Sequence, residues 1–143
     1  MNNGKVSSLL CFTGVLLFML GLMTGFGIGV ARAPRLGLSA HLAATQCGVA
    51  LIAFGLLWPR LTLWQGWSVP LATILWISFY LIWIGLCLGA LWGTGRVLPI
   101  AGAGHTAELW QERAAIAPIA IGSLGSLGAV VMLLVQWRYG APE

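Results

Sequence analysis

Four long apolar runs, separated by short polar connections, constrain this chain more than any other feature of its sequence. They cover about residues 8–30, 37–58, 68–92 and 114–137, and each matches the roughly 20 residues that cross a bilayer core as a helix. Because a backbone in lipid must satisfy its hydrogen bonds within its own segment, these runs predict helices. The expected fold class is therefore all-α: an integral-membrane four-helix bundle, with residues 1–143 forming a single transmembrane domain.

The composition excludes several other classes of protein. Hydrophobic residues make up 59% of the chain and charged residues 7%, whereas soluble domains have about 45–50% and about 25%. The cations are scattered at the ends of the apolar runs instead of forming a basic face, so no nucleic-acid partner is expected. Strand-like alternation is absent, which argues against an outer-membrane barrel and favours a multi-pass protein of a bacterial inner membrane. The cations divide almost evenly between the two sides, so orientation stays open.

Acidic residues are too few and too peripheral for carboxylate chemistry. The chain has no Asp, and its only acids are Glu108, Glu112 and Glu143, none of them inside a predicted span. Aspartyl dyads, triads and carboxylate metal cages therefore lack the groups they need. Glu108 and Glu112 precede the fourth run, where they are expected either to cap the helix or to close a pocket.

His41 is the one ionisable side chain that falls clearly inside a predicted span. Such residues are costly in a membrane, so His41 is a candidate functional residue, and neutral imidazole is a common metal ligand. The alternative is a histidine at headgroup level, hydrogen-bonded to a loop. His105 lies in the third connection on the same side. Two histidines on one haem iron would make an electron carrier, whereas one would leave a position open for substrate.

Neutral polar groups near His41 suggest a pocket. Thr45 and Gly48 share a helical stripe with His41, Cys47 lies further round, and Tyr80 or Trp83 is expected to close the pocket. Glycines repeat at four-residue spacing in two runs, and such stripes allow helices to approach closely, either within one chain or between subunits. The two stripes are Gly21, Gly25 and Gly29, and Gly85, Gly89 and Gly93.

The segment Ala33-Pro-Arg-Leu-Gly-Leu-Ser-Ala-His41-Leu resembles the Pro-Arg-Met-Gly-Leu-Ser-Ala-His stretch of small four-helix hydroxylaminobenzene mutases. Residues 92–95, 98–101, 104–105 and 110–112 resemble the third connection of the same family, which is related to styrene oxide isomerase. The resemblance extends from about residue 12 to residue 137.

This resemblance implies a homotrimer with haem b at each subunit interface and His41 as the iron ligand. In the epoxide isomerase, ferric iron acts as a Lewis acid on a substrate oxygen. The expected activity is an intramolecular rearrangement of a small aromatic substrate. Conversion of an aryl hydroxylamine to an aminophenol is the first choice, and conversion of an aryl epoxide to an aldehyde is the second.

Several positions depart from the pattern of these relatives. Cys47 and Ile82 stand where the relatives have asparagines, and Leu86 stands where the epoxide isomerase has a tyrosine. Tyr80 resembles a tyrosine of the mutase, so Tyr80 and Cys47 are the predicted catalytic residues. Two competing functions remain: a non-catalytic electron carrier whose haem is held by His41 and His105, and a membrane assembly subunit without a cofactor.

Overall fold

A computed structural model describes residues 3–96 and 98–139, and within them the chain forms four long helices. These are α1 (Asn3–Phe26), α2 (Pro34–Leu57), α3 (Ser68–Trp92) and α4 (Leu109–Tyr139), with 3₁₀ turns at Ile28–Val30 and Trp58–Arg60. Each helix is long and apolar enough to cross a membrane. The predicted all-α fold class with four membrane helices is confirmed. Glu143 lies outside the described residues.

Three helix boundaries differ from those expected. The first helix ends at Phe26 instead of continuing to residue 30, because the Gly27 and Gly29 region has low helix propensity and forms a 3₁₀ turn. Pro34 occupies the first turn of α2, where its missing N–H has no consequence, so it begins a helix. The fourth helix begins at Leu109, five residues before the predicted start, because the polar segment before residue 114 is itself helical.

Glycines bring α1 and α2 into backbone contact. A Cβ built on Gly48 would lie 2.7 Å from the backbone nitrogen of Phe18, and one built on Gly21 would lie 2.9 Å from the Ala44 Cβ. The first glycine stripe therefore packs within the chain at Gly21. At Gly29, by contrast, an added Cβ meets nothing within 4 Å among the described residues.

The helices are arranged as two antiparallel pairs joined through α2 and α3. Of the described helices, α4 contacts only α3. Glycines on both helices allow the close approach: a Cβ built on Gly85 would lie 2.6 Å from the Ala115 carbonyl oxygen, and one built on Gly122 would meet the Ser78 carbonyl oxygen. Only 17% of the most apolar stretch of α4 is buried. The remaining apolar surface, including Leu124 and Leu127, is suited to lipid or to another protein surface.

The contact between α1 and α2 predicts opposite effects for two glycine substitutions. Gly48→Ala is expected to destabilise the protein by about 1–3 kcal/mol, because its Cβ meets backbone that cannot move aside. Gly128→Ala, which has open space among the described residues, is expected to leave stability unchanged or to raise it by about 1 kcal/mol through helix propensity. Unfolding of both variants in detergent measures this difference, and equal stabilities would contradict the close contact.

Candidate functional site

The imidazole of His41 is fixed against α1 by a hydrogen bond. Its Nδ1 lies 2.8 Å from the carbonyl oxygen of Gly21, and a carbonyl oxygen only accepts, so Nδ1 carries the proton. The neutral ring therefore presents Nε2 with a free lone pair. No described residue forms a hydrogen bond with Nε2. This arrangement, with one ring nitrogen donating to a backbone carbonyl, is the one that metal-ligating histidines commonly have.

Gly25 provides the space in which this ring lies. A Cβ built on Gly25 would be 2.9 Å from Nδ1 and 3.2 Å from Cε1 of His41. A side chain at this position would therefore push the ring away from the Gly21 carbonyl. The four-residue spacing of Gly21 and Gly25 thus has a local purpose, since one glycine supplies the acceptor and the other supplies the room.

The two predicted catalytic residues pack against the core at a different height. Cys47 and Tyr80 both contact the main apolar core cluster. The Tyr80 hydroxyl donates to the carbonyl oxygen of Thr13 at 2.9 Å. Thr13 precedes Gly21 by eight residues, so at 1.5 Å per residue the attachment points of Tyr80 and His41 lie about 12 Å apart along α1. Neither Cys47 nor Tyr80 is hydrogen-bonded to His41.

Trp83 reaches α1 much nearer to the level of His41. Its indole Nε1 donates to the Thr24 hydroxyl at 3.1 Å, and Thr24 adjoins Gly25. Thr24 and Cys87 also line the same small cavity. Of the two residues expected to close a pocket near His41, Trp83 is the one held closer along α1. Thr24 could not be singled out from the sequence, because it is one of several hydroxyl residues in apolar runs.

His105 lies at the same end of the bundle as the start of α2 but is bound by its own loop. Its Nδ1 is 3.3 Å from the carbonyl oxygen of Ala103, and its backbone packs against Gly95. No hydrogen bond joins His105 to His41 in the described part of the chain.

Glu112 organises the connection between α3 and α4. It is only 1% exposed, and its Oε1 accepts hydrogen bonds from the backbone N–H groups of Gly95 at 2.9 Å and Arg96 at 3.2 Å. Both bonds run to the preceding loop, and not to the first turn of α4 as simple capping would require. Burial of this carboxylate against loop amides explains why the polar residues before position 114 can begin the helix.

Sequence reasoning missed Gln136, which is completely buried in α4. Its Oε1 accepts from the backbone N–H of Trp64 at 2.9 Å, while its Nε2 has no partner among the described residues. This bond ties the end of α4 to the connection between α2 and α3. A glutamine inside an apolar run was the available signal, but an uncharged side chain was not singled out.

The four membrane-length helices define a small polytopic membrane protein, and within it the His41 imidazole is held against the Gly21 carbonyl oxygen. Among residues 3–96 and 98–139, no three His, Cys, Asp or Glu side chains are grouped as metal ligands. The chain belongs to the styrene oxide isomerase family, whose model matches residues 6–138.

Two curated relatives agree with this assignment. Hydroxylaminobenzene mutase HabB of Ectopseudomonas oleovorans is 38% identical over 125 residues, covering 87% of this chain and 75% of the relative. Hydroxylaminobenzene mutase HabA of the same organism is 40% identical over 102 residues, covering 71% of this chain and 76% of the relative. No solved structure is significantly similar. The chain is therefore an enzyme of the isomerase and mutase type, as the sequence predicted.

The buried carboxylate of Glu112 predicts a graded loss of stability. Glu112→Ala leaves the Gly95 and Arg96 amides without their acceptor and is expected to cost about 2–3 kcal/mol, whereas Glu112→Gln retains an acceptor oxygen and should cost less. Glu108→Ala is the matched control, because the Glu108 side chain is exposed and should change stability by less than about 0.5 kcal/mol. Thermal unfolding in detergent checks this order, and a Glu108 variant as unstable as Glu112→Ala would contradict it.

Proposed function

We propose that this enzyme catalyses an intramolecular rearrangement of a small aromatic substrate, using haem b held by His41. The observation that carries the proposal is the hydrogen bond from His41 Nδ1 to the Gly21 carbonyl oxygen. It fixes the tautomer in which Nε2 is free to bind iron. Haem suits a site with one ligating side chain, because the porphyrin supplies the remaining nitrogens and a single proximal histidine is sufficient.

The residues around His41 fit such a group. The Gly25 backbone leaves room for the ring, and no described carboxylate competes for Nε2. Bound ferric haem would supply a Lewis acid for an oxygen atom of the substrate. The chain's own part is to hold the imidazole in one tautomer and one orientation, so that its basicity toward the metal does not vary.

The apolar helices contribute by excluding water. A rearrangement through a cationic species is protected when the surrounding side chains cannot hydrate it, and α1 and α2 carry no charged side chain other than Lys5 and Arg35. Tyr80, whose proton is donated to the Thr13 carbonyl, retains oxygen lone pairs that can orient a substrate. Cys47 contributes a small polarisable side chain at the position where the relatives carry an amide.

An aryl hydroxylamine is the favoured substrate, and the product is then an aminophenol. Both curated relatives are named as hydroxylaminobenzene mutases. The position that carries a tyrosine in the epoxide isomerase is apolar here, because Leu86 packs against the small core cluster around Leu36. Leu86 offers no polar group to orient an epoxide.

A homotrimer in a bacterial inner membrane is part of the same proposal. His41 is only partly buried within one chain, so a second copy packed beside it would complete the surroundings of a bound haem. The large exposed apolar faces of α1 and α4 provide surface for such contacts. An electron carrier with two histidine ligands is less favoured, because both curated relatives are named as mutases.

The absorbance spectrum of the detergent-purified protein, expressed with sufficient haem supply, tests the cofactor. We expect a Soret band that His41→Ala abolishes, because the iron loses its protein ligand, and that His105→Ala retains. Absence of the band in the unaltered protein, or its loss only in His105→Ala, would disprove binding through His41.

A paired substitution tests how the chain orients His41. Gly25→Ala should lower haem occupancy or shift the Soret maximum, because the added Cβ displaces the imidazole. Gly29→Ala is the control, since its Cβ meets open space among the described residues. Equal spectra for the two variants would show that Gly25 does not position the ring.

Product identification by chromatography separates the two substrate classes. Hydroxylaminobenzene is expected to give an aminophenol, and styrene oxide is expected to react about tenfold more slowly because Leu86 replaces the tyrosine of the epoxide isomerase. Both reactions are isomerisations and need no added oxidant or reductant. Faster turnover of the epoxide would reverse the substrate assignment without affecting the haem assignment.

A further inference from the structure

A polar cavity lies at the end of the bundle where two connections meet, and the proposed activity does not use it. Its volume is about 500 Å³. Arg32 of the α1–α2 connection lines one part, and Arg96, Glu108 and Gln111 of the α3–α4 connection and the start of α4 line the rest, together with Thr106, Ala107 and Leu109.

The charged groups of this cavity have few partners within the protein. Arg32 donates through Nη1 to the Trp92 carbonyl oxygen at 3.2 Å. The guanidinium of Arg96 and the carboxylate of Glu108 form no hydrogen bond or ion pair with any described residue. Two exposed cations and one exposed anion therefore line one cavity, and they do not pair with one another although both signs are present.

The backbone that carries these groups is fixed. Glu112 accepts from the amides of Gly95 and Arg96, and the Gln111 side chain accepts from the Glu108 N–H at 2.9 Å. The α1–α2 connection is joined to the end of α3 by a bond from the Ala33 N–H to the Ala90 carbonyl oxygen at 3.0 Å. The backbone that carries the charged side chains of the cavity is thus held in place by several hydrogen bonds.

The position of the cavity indicates the source of its ligand. Trp92 and Trp110 pack edge to face beside it, with ring centroids 5.2 Å apart, and Trp110 is 61% exposed. Tryptophans at the ends of membrane helices lie at headgroup level, where phospholipid phosphates are concentrated. Basic pockets at this level are suited to lipid headgroups.

We propose that this cavity binds the phosphoethanolamine headgroup of a phospholipid. The guanidinium groups of Arg32 and Arg96 bind phosphate oxygens, a pairing that arginine geometry favours. The Glu108 carboxylate accepts hydrogen bonds from the primary ammonium. A phosphocholine headgroup binds less tightly, because its methylated ammonium has no N–H to donate, and an anionic phosphoglycerol headgroup lacks the cation that Glu108 requires.

Native mass spectrometry of the full chain in mild detergent, titrated with phosphatidylethanolamine, tests the site. Arg96→Gln is expected to weaken lipid retention about fivefold, corresponding to about 1 kcal/mol for one interfacial arginine. It is the preferred variant, because its side chain makes no described bond that folding needs. Arg60→Gln, which removes an arginine from the opposite end of the bundle, is the control and should bind as the unaltered chain does.

Glu108→Gln tests the ammonium contact. It should reduce the preference for phosphatidylethanolamine over phosphatidylcholine without the general loss expected for Arg96→Gln. Binding by Arg96→Gln equal to that of the unaltered chain, or an equal loss in Arg60→Gln, would overturn the site. An unchanged lipid preference in Glu108→Gln would overturn the ammonium contact.

Soluble ligands distinguish the source of the phosphate. Glycerophosphoethanolamine and inorganic phosphate, at the concentration of lipid that saturates the site, should fail to displace phosphatidylethanolamine, because they lack acyl chains in the bilayer. Displacement by either would assign the cavity to a soluble phosphate compound and overturn the lipid assignment.

Discussion

The close backbone contact between α1 and α2 is the constraint on which the candidate site depends. Without glycine at positions 21 and 48, the two helices could not approach until the Gly21 carbonyl meets the His41 ring. In a membrane the hydrophobic effect does little to drive helices together, so close packing and interhelical hydrogen bonds carry much of the association. The contact that holds α1 and α2 together therefore also orients the imidazole. A change that separates the two helices would remove the hydrogen bond that keeps the proton on Nδ1 of His41.

Several polar side chains join segments that are distant in sequence. Tyr80 joins α3 to α1, Gln136 joins α4 to the connection after α2, and Glu112 joins α4 to the loop before it. Since lipid offers no alternative hydrogen-bond partner, such bonds fix the relative positions of helices that are apolar on all sides. The packing of the helices consequently depends on a few polar residues.

The sequence predicted the helices well and their ends less well. The four spans follow from apolar length alone, but the start of α4 was placed five residues late, because the polar residues before Ala114 become helical only when Glu112 is buried against the loop. His41 could be identified as a candidate because an ionisable group in an apolar run stands out. The separation of about 12 Å along α1 between the attachment points of Tyr80 and His41 could not be predicted, because it depends on which carbonyl of α1 the Tyr80 hydroxyl reaches.

The sequence by itself determined that this is a membrane protein, how many membrane helices it has, and that it contains few carboxylates, which makes His41 the main candidate residue. These follow from composition and from the length of apolar runs, which are local properties. The tertiary structure decided which nitrogen of His41 carries the proton, which glycines face a neighbouring helix, and that Arg32 and Arg96 line one cavity with Glu108. Those outcomes depend on contacts between segments far apart in the chain, and near-uniform apolarity gives no periodic signal from which the rotation of each helix could be predicted.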